Sequence, residues 1–326
     1  MKLISFLVLF SILFGGYYMV EIIPETRVKS QDFIVNHNDT VTILPQKLAI
    51  DINSTVFKFY VRIFLQKFTL QAGTYSIPED TTLEGLFSKI LRNPTSKDIT
   101  ITLLPGWNIW DIDAYLTKEG IIRTGDFTKS TEHVTDTMRT NFPFLGKTTT
   151  LEGFLMPDTY RISPEAGAES IIKTLLQTFD ERIYKAFNFT SEEDLYETLI
   201  FASILEKEEK SSTNKPIVAG ILKKRYAEKM PIGADATVCY AYRLTMTDCT
   251  PAFIGEHIYK KTAYNTRDSL NLPPTPISNP SVETIRATIE SLSSKYYYYL
   301  HDMDGVIHYG KTLEEHNSNR VRYLGK

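Results

Sequence analysis

Apolar positions follow different rhythms along the chain, and each rhythm predicts an element. Leu3 to Val20 carry no charge, and a run of that length is enough to span a bilayer as a helix. DFIVNH, DTVTIL and STVFKFYVRIFL are rich in Val, Ile, Phe and Tyr and read as short β-strands. Thr81 or Thr82 then caps a helix in which Leu83, Leu86, Ile90 and Leu91 fall at helical spacing. DITITLLPGW alternates as a strand and stops at Pro105-Gly106. NIWDIDAYLTKEGII follows as a helix through Ile109, Ile112 and Leu116, and Gly120 ends it. From about residue 126 the helices lengthen. Ile171, Leu175, Phe179 and Ile183 recur at every fourth position of 168–187. Ser191 followed by Asp194 has the pattern of a capping box. Residues 215–229 carry Pro216 in the first turn of a third helix, and 279–292 supply a fourth. KYYYYLHD and MDGVIHYG read as two strands joined by a turn at Asp304-Gly305.

The helix opened by Ser191 ends in Glu206-Lys207-Glu208-Glu209-Lys210. With Leu195 at zero and roughly 100° per residue, Leu199 falls near 40° and Glu206 near about 20°, inside the apolar stripe. Glu208 falls near roughly 220°, beside Glu197 and Phe201, on the flank. A lone carboxylate on an apolar face loses hydration when ionised and holds its proton to higher pH. That property suits a general acid. The competing reading is that the helix frays and Glu206 pairs with a lysine.

Composition narrows the function classes. A net charge of −3 and the lack of a basic block give no electrostatic case for nucleic acid. The N-terminal run has Lys2 before it and Glu21 and Glu25 after it, which places the N-terminus in the cytoplasm and the remainder outside. A cleaved signal peptide is the rival reading, although no A-x-A-like site or lipobox cysteine follows. Cys239 and Cys249 are the two cysteines; an exported chain could join them across a hairpin, and two buried thiols are the alternative. With no CxxC and six scattered histidines, neither a metal nor a cofactor is expected.

Five segments, in order, carry a resemblance: LEGFLMPDTYRI (151–162), ASILEKEEK (202–210), MPIGADATVCYA (230–241), AYNTRDSLNLPPTPISNPSVETIRA (263–287) and YYYYLHDMDGVIHYGKTLEEHN (296–317). Together they resemble the MltG (YceG-like) family of membrane-anchored endolytic murein transglycosylases. LQAGTYSIPEDTTLEGLFSKIL and ITLLPGWNIWDI are similar to that family's N-terminal region. The resemblance implies an α+β chain. A transmembrane helix (1–21) would lead into a small LysM-like α/β subdomain (22–125). A mixed, helix-rich catalytic domain with short β segments would follow (126–326).

The implied activity is cleavage of the bond between N-acetylmuramic acid and N-acetylglucosamine in nascent glycan strands, leaving 1,6-anhydro ends. The implied location is the outer face of the inner membrane, with glycan strands and peptidoglycan synthases as partners. The family's acid lies in the EKE segment and maps onto Glu206, with Glu208, Pro274 and Pro276 in support. Glu152, Asp158, Tyr160, Asp235, Thr237, Tyr264, Asn265, His316 and Asn317 are the expected sugar contacts. Asn279 is read as the N-cap of the following helix. The chain departs from the family where Ala236 replaces a proline, at Gly233 and Ala234, and where Asn271, Thr275 and Ser281 stand for glycines. Two other readings stay open. One is a hydrolase pairing Glu206 with Asp235, which would need carboxyls roughly 5–10 Å apart. The other is a tethered glycan-binding scaffold without activity.

Overall fold

A computed structural model describes residues 13–35, 39–66, 68–71, 73–92, 98–164, 166–245 and 247–325. It has the mixed helix-and-strand character of an α+β chain. Two compact units are present: Met1–Ile99 with Arg161–Glu165, and Thr100–Tyr160 with Ala166–Lys326. The units therefore divide earlier in the chain than residue 125. The Ile109–Lys118 helix belongs with the second unit because it packs on Asp126–Thr131.

In the first unit Gln31–Val35 pairs antiparallel with Gly73–Ile77, and Phe33 faces Tyr75 with ring centroids 5.4 Å apart. The strand expected in DFIVNH is present in that register. Asn36, His37 and Asn38 lie outside the described residues. Two expected strands are helices instead. Within DTVTIL, Val41–Ile43 is a 3₁₀ turn leading into Leu44–Lys47, with Pro45 in its first turn. STVFKFYVRIFL folds as the Ser54–Phe64 helix. Composition misled the sequence reading because β-branched and aromatic residues also serve a helix whose buried positions fall three apart. Here Phe57 and Tyr60 face the core, and Asn53 Oδ1 accepts from Thr55 N at 2.9 Å and Val56 N at 3.4 Å. Thr82 caps the next helix through Gly85 N at 3.1 Å. No helix among the described residues is long and apolar enough to cross a membrane. Most of the Leu3–Val20 span, Leu3 to Ile12, lies outside them.

The second unit is built around the Glu192–Glu208 helix, capped by Ser191 Oγ accepting from Asp194 N at 3.2 Å. Every residue from Thr198 to Leu205 is buried. A helix covered all round is a central core element, so its hydrophobic pattern points in no single direction. The helices Lys215–Ala227 and Val282–Ile289 pack against it and each other. Gly220 permits the approach of the 292 backbone: a Cβ there would lie 1.8 Å from Leu292 O. The C-terminal hairpin pairs Tyr298–His301 with Ile307–Gly310 antiparallel, as the sequence predicts, and the Leu313–Leu324 helix packs on both strands. Cys239 and Cys249 form a disulfide. It joins the Asp235–Ala241 helix to the segment before Pro251–His257, where the sequence reading had a hairpin.

Candidate active site

The Glu192–Glu208 helix delivers two carboxylates at its C-terminal end, and they meet different partners. Glu206 is nearly enclosed. Its Oε1 lies 3.2 Å from Lys215 Nζ, with the two side chains 9% and 5% exposed. Its Oε2 accepts from Ser281 N at 2.7 Å and Ser281 Oγ at 2.8 Å. The unpaired acid expected from the helical stripe is corrected here: Glu206 has a lysine partner and two donors. Ser281 also accepts from Thr284 N at 3.2 Å and is the N-cap of the Val282–Ile289 helix. Ser281 thus ties that helix start to Glu206.

Glu208 is half-buried and lines a cavity of about 400 Å³ together with Asn108, Lys207, Asp235, Tyr240 and the disulfide. Tyr299 OH donates to its Oε2 at 2.9 Å. Among the described residues, no donor reaches its Oε1. Burial pushes the carboxyl above its ordinary value, and the charge of Asp235 adds to this. The Tyr299 hydrogen bond, Arg267 and His301 act in the opposite sense. Tyr299 itself is raised well above the ordinary phenol range, first by burial and then by the Glu208 charge, so it stays a donor. Burial lowers the neighbouring Lys207 ammonium, against the charges of Asp111, Glu152 and Glu206. Glu209, the third carboxylate of the run, turns away to accept from Ser211 N at 2.7 Å and to meet His301 Nε2 at 3.1 Å.

Behind this helix end lies a buried polar hub. Glu152 is fully buried, and burial raises its carboxyl to about 8 despite the hydrogen bonds that oppose the shift. Ile109 N and Tyr240 OH donate to Oε2 at 3.1 and 3.2 Å, and Asn279 Nδ2 donates to Oε1 at 2.7 Å. Asn279 Oδ1 in turn accepts from Gly153 N at 2.9 Å and Leu155 N at 3.0 Å. Asn279 is therefore a crosslink between three segments and not the N-cap of its helix. Gly153 sits at φ +90°, and a Cβ there would come within 2.6 Å of Pro276 Cγ. Pro276 thus packs into the hub, while Pro274 is exposed and its carbonyl accepts from Tyr196 OH at 3.3 Å.

The remaining expected contacts divide into braces and cavity residues. Tyr160 is buried with its OH on Met156 O, and burial raises it to about 12. Asp158 pairs with Arg182 at 2.6 Å. Thr237 is fully buried, its Oγ1 donating to Ala234 O at 2.6 Å and meeting Thr266 Oγ1 at 3.0 Å. Asn265 donates to Ile258 O at 2.9 Å and Lys260 O at 2.8 Å, which spends its amide on its own loop. His316 stacks on Tyr298 with centroids 5.2 Å apart, and burial lowers it. Asn317 is exposed on the same helix. Of the residues expected to touch sugar, Asp235 lines the Glu208 cavity, where Arg267 holds it at 2.6 Å. Tyr264 lines an adjoining cavity with Tyr240. Sequence reasoning missed Tyr240, Tyr299 and Lys207; for Tyr299 the signal was alternation within the YYYY run, which sets every second ring on one face.

With the geometry in view, comparison with known proteins settles the family. The sequence model of the YceG-like family matches residues 34–322. The chain belongs to the YceG-like family. A relative described as an endolytic murein transglycosylase, from Bacillus subtilis (strain 168), is 26% identical across 82% of this chain and 77% of its own length. One of the same description from Streptococcus pneumoniae (D39) is 23% identical across 98% of this chain, which spans 65% of that protein. A crystal structure of a YceG-like protein from Listeria monocytogenes matches with a TM-score of 0.57 at 23% identity, covering 90% of this chain and 99% of that one. That likeness extends the family assignment to the fold.

Proposed function

We propose that this YceG-like chain is an endolytic lytic transglycosylase that cleaves peptidoglycan glycan strands, with Glu208 as its proton donor. The observation that carries the reading is the environment of Glu208. Its carboxyl is raised by burial, is held on one oxygen by Tyr299, and faces a cavity. Glu206, the residue singled out by both the helical wheel and the resemblance, already accepts hydrogen bonds on both oxygens. It fixes the helix end and thereby the aim of Glu208.

In the reaction, Glu208 protonates the glycosidic oxygen as the bond from C1 of N-acetylmuramic acid breaks. The sugar passes through an oxocarbenium-like state. The carboxylate left behind takes the proton from the C6 hydroxyl of the same muramic residue as that oxygen bonds to C1. Glu208 ends neutral and the strand ends in a 1,6-anhydro ring. No water is consumed, so one carboxylate acts as acid and then as base. Glu152, Asn279 and Ser281 hold the frame of the site, and Tyr264 and Asp235 face its cavities.

The apolar Leu3–Val20 run serves as a single-pass anchor with the N-terminus in the cytoplasm. The small first unit serves as a LysM-like module, following the anchor in the sequence. Tethering keeps the enzyme beside newly made glycan and its synthases, where cleavage terminates the strand. The Cys239–Cys249 disulfide supports an extracytoplasmic location. Membrane fractionation tests the anchor: release of the full chain by carbonate, without detergent, would remove it.

Asp235 lines the same cavity as Glu208, which favours a two-carboxylate hydrolase as the second reading. The deciding experiment is mass spectrometry of uncrosslinked glycan strands after incubation with the full chain. Internal fragments with 1,6-anhydro-muramic ends support the transglycosylase. Reducing ends support the hydrolase, and intact strands bound to the protein support a scaffold.

A further inference from the structure

A second cavity, of about 300 Å³, adjoins the Glu208 cavity and shares Tyr240 with it. Three aromatic rings form one wall. Trp110 and Tyr240 have centroids 4.9 Å apart, and Tyr240 and Tyr264 are likewise 4.9 Å apart, each pair tilted by about 50°. The rings are fixed before any ligand arrives. Tyr240 OH is held by the buried Glu152, and Tyr264 OH by Thr275 Oγ1 at 3.1 Å. The Arg243 guanidinium lies over Trp110 at 5.9 Å.

Glu132, His133, Arg243 and Thr150 supply the polar rim. Arg243 pairs with Glu132 at 3.0 Å, so the rim presents donors and acceptors with its opposed charges compensated. Among the described residues that line it, Arg243 is engaged by Glu132 and leaves no uncompensated guanidinium or ammonium for an anionic ligand, and an apolar ligand would leave the polar edge unpaired. A neutral ring with apolar C–H faces and polar substituents matches both the wall and the rim.

We infer that the Trp110–Tyr240–Tyr264 cavity is a saccharide subsite, holding an N-acetylhexosamine unit of the strand beside the one cleaved at Glu208. The inference rests on the transglycosylase reading for the identity of the strand. It rests on the cavity alone for the claim that a sugar binds. An enzyme that cuts within a strand has to hold units on either side of the bond, and the Glu208 cavity is small for more than one or two of them. Fixed aromatic rings hold such a unit at little cost in conformational entropy. They also set the strand's position, so that the scissile oxygen meets Glu208.

The test uses the full chain carrying Glu208→Gln, titrated with tetra-N-acetylchitotetraose and with uncrosslinked glycan strands. Trp107 and Trp110 are the two tryptophans of the protein, so tryptophan emission reports on this wall. A saturable emission change is expected with at least one probe, and Trp110→Phe should remove most of it. Affinity measured by calorimetry should fall about tenfold or more in Trp110→Ala and in Tyr264→Ala, while Tyr264→Phe, which keeps the ring but loses its tether to Thr275, should lose much less. With Glu208 intact, Trp110→Ala should raise KM for long strands and leave kcat nearly unchanged.

Binding of both probes unaffected by Trp110→Ala would overturn the subsite, as would the absence of binding to either. If Trp110→Ala does not fold, as judged by thermal melting, Tyr264→Ala decides in the same way. Ring-dependent binding without anhydro products from the unmutated chain would keep the subsite and remove the transglycosylase. Anhydro products with unchanged KM in the variants would do the reverse.

Discussion

Glu206 and Glu208 leave the same helix end and enter opposite surroundings. Glu206 enters a closed pocket with Lys215 at 3.2 Å and two donors from Ser281. Glu208 enters the wall of a cavity with one phenol on one oxygen. The first arrangement immobilises a charge and links three helices. The second keeps a carboxyl poised and reachable. The difference teaches that burial alone does not mark a catalytic acid: the enclosed residue is the one already committed to partners, and the available one sits at the cavity.

Four experiments would break or sharpen this contrast. The largest effect is expected for Glu208→Gln, which removes the proton and should lower the rate of anhydro-end formation about 10³-fold without changing the melting temperature. Near-normal turnover in this variant would return the acid role to Glu206. Glu206→Gln should act mainly on folding: it leaves Lys215 buried without its counter-charge, at a cost of about 3 kcal/mol in chemical denaturation. The protein that remains folded should keep its activity within roughly tenfold. Unchanged stability with abolished activity would reverse the two roles.

Replacing both Cys239 and Cys249 with alanine frees the wall of the Glu208 cavity. The short closed loop predicts a loss of about 2–3 kcal/mol in the unfolding free energy. The smallest change is expected from Tyr299→Phe, read in the pH profile. The Tyr299 hydrogen bond favours the ionised form of Glu208 and holds its raised pKa down. Without the hydroxyl the pKa climbs further and the acid keeps its proton to higher pH. The alkaline limb of kcat/KM therefore moves up in pH. A shift to lower pH, or none at all, would remove Tyr299 from the proton-donor assembly.

Legibility in the sequence followed the strength of local signals. Helices with one apolar face, such as Ile109–Lys118 and Ala168–Phe179, were readable from the spacing of their apolar positions. The Tyr298–His301 and Ile307–Gly310 hairpin was readable from its turn. Ser54–Phe64 was not, since its β-branched and aromatic content argued one way and its Asn53 cap and three-residue spacing argued the other. At the site, the sequence reading named Glu206, from the helical stripe and from the resemblance together. The wheel rested on the premise that the helix has one buried face, and Thr198–Leu205 is buried on all of them. Asn279 looked like a cap because it precedes a helix; its hub role depends on Glu152, Gly153 and Leu155, which lie far away in the chain.

The sequence by itself determined the helices with consistent periodicity, the C-terminal hairpin, the order of motifs and the cluster of carboxylates at the end of the Glu192–Glu208 helix. These depend on neighbours within a few turns of backbone, where side-chain spacing and hydrogen-bond geometry are fixed locally. Tertiary structure alone decided which carboxylate of that segment is tied up and which faces a cavity. It decided that Cys239 and Cys249 are joined, and that Trp110, Tyr240 and Tyr264 share a wall. Each of those outcomes is set by partners distant in sequence, because desolvation and charge pairing depend on what the fold brings within a few ångströms.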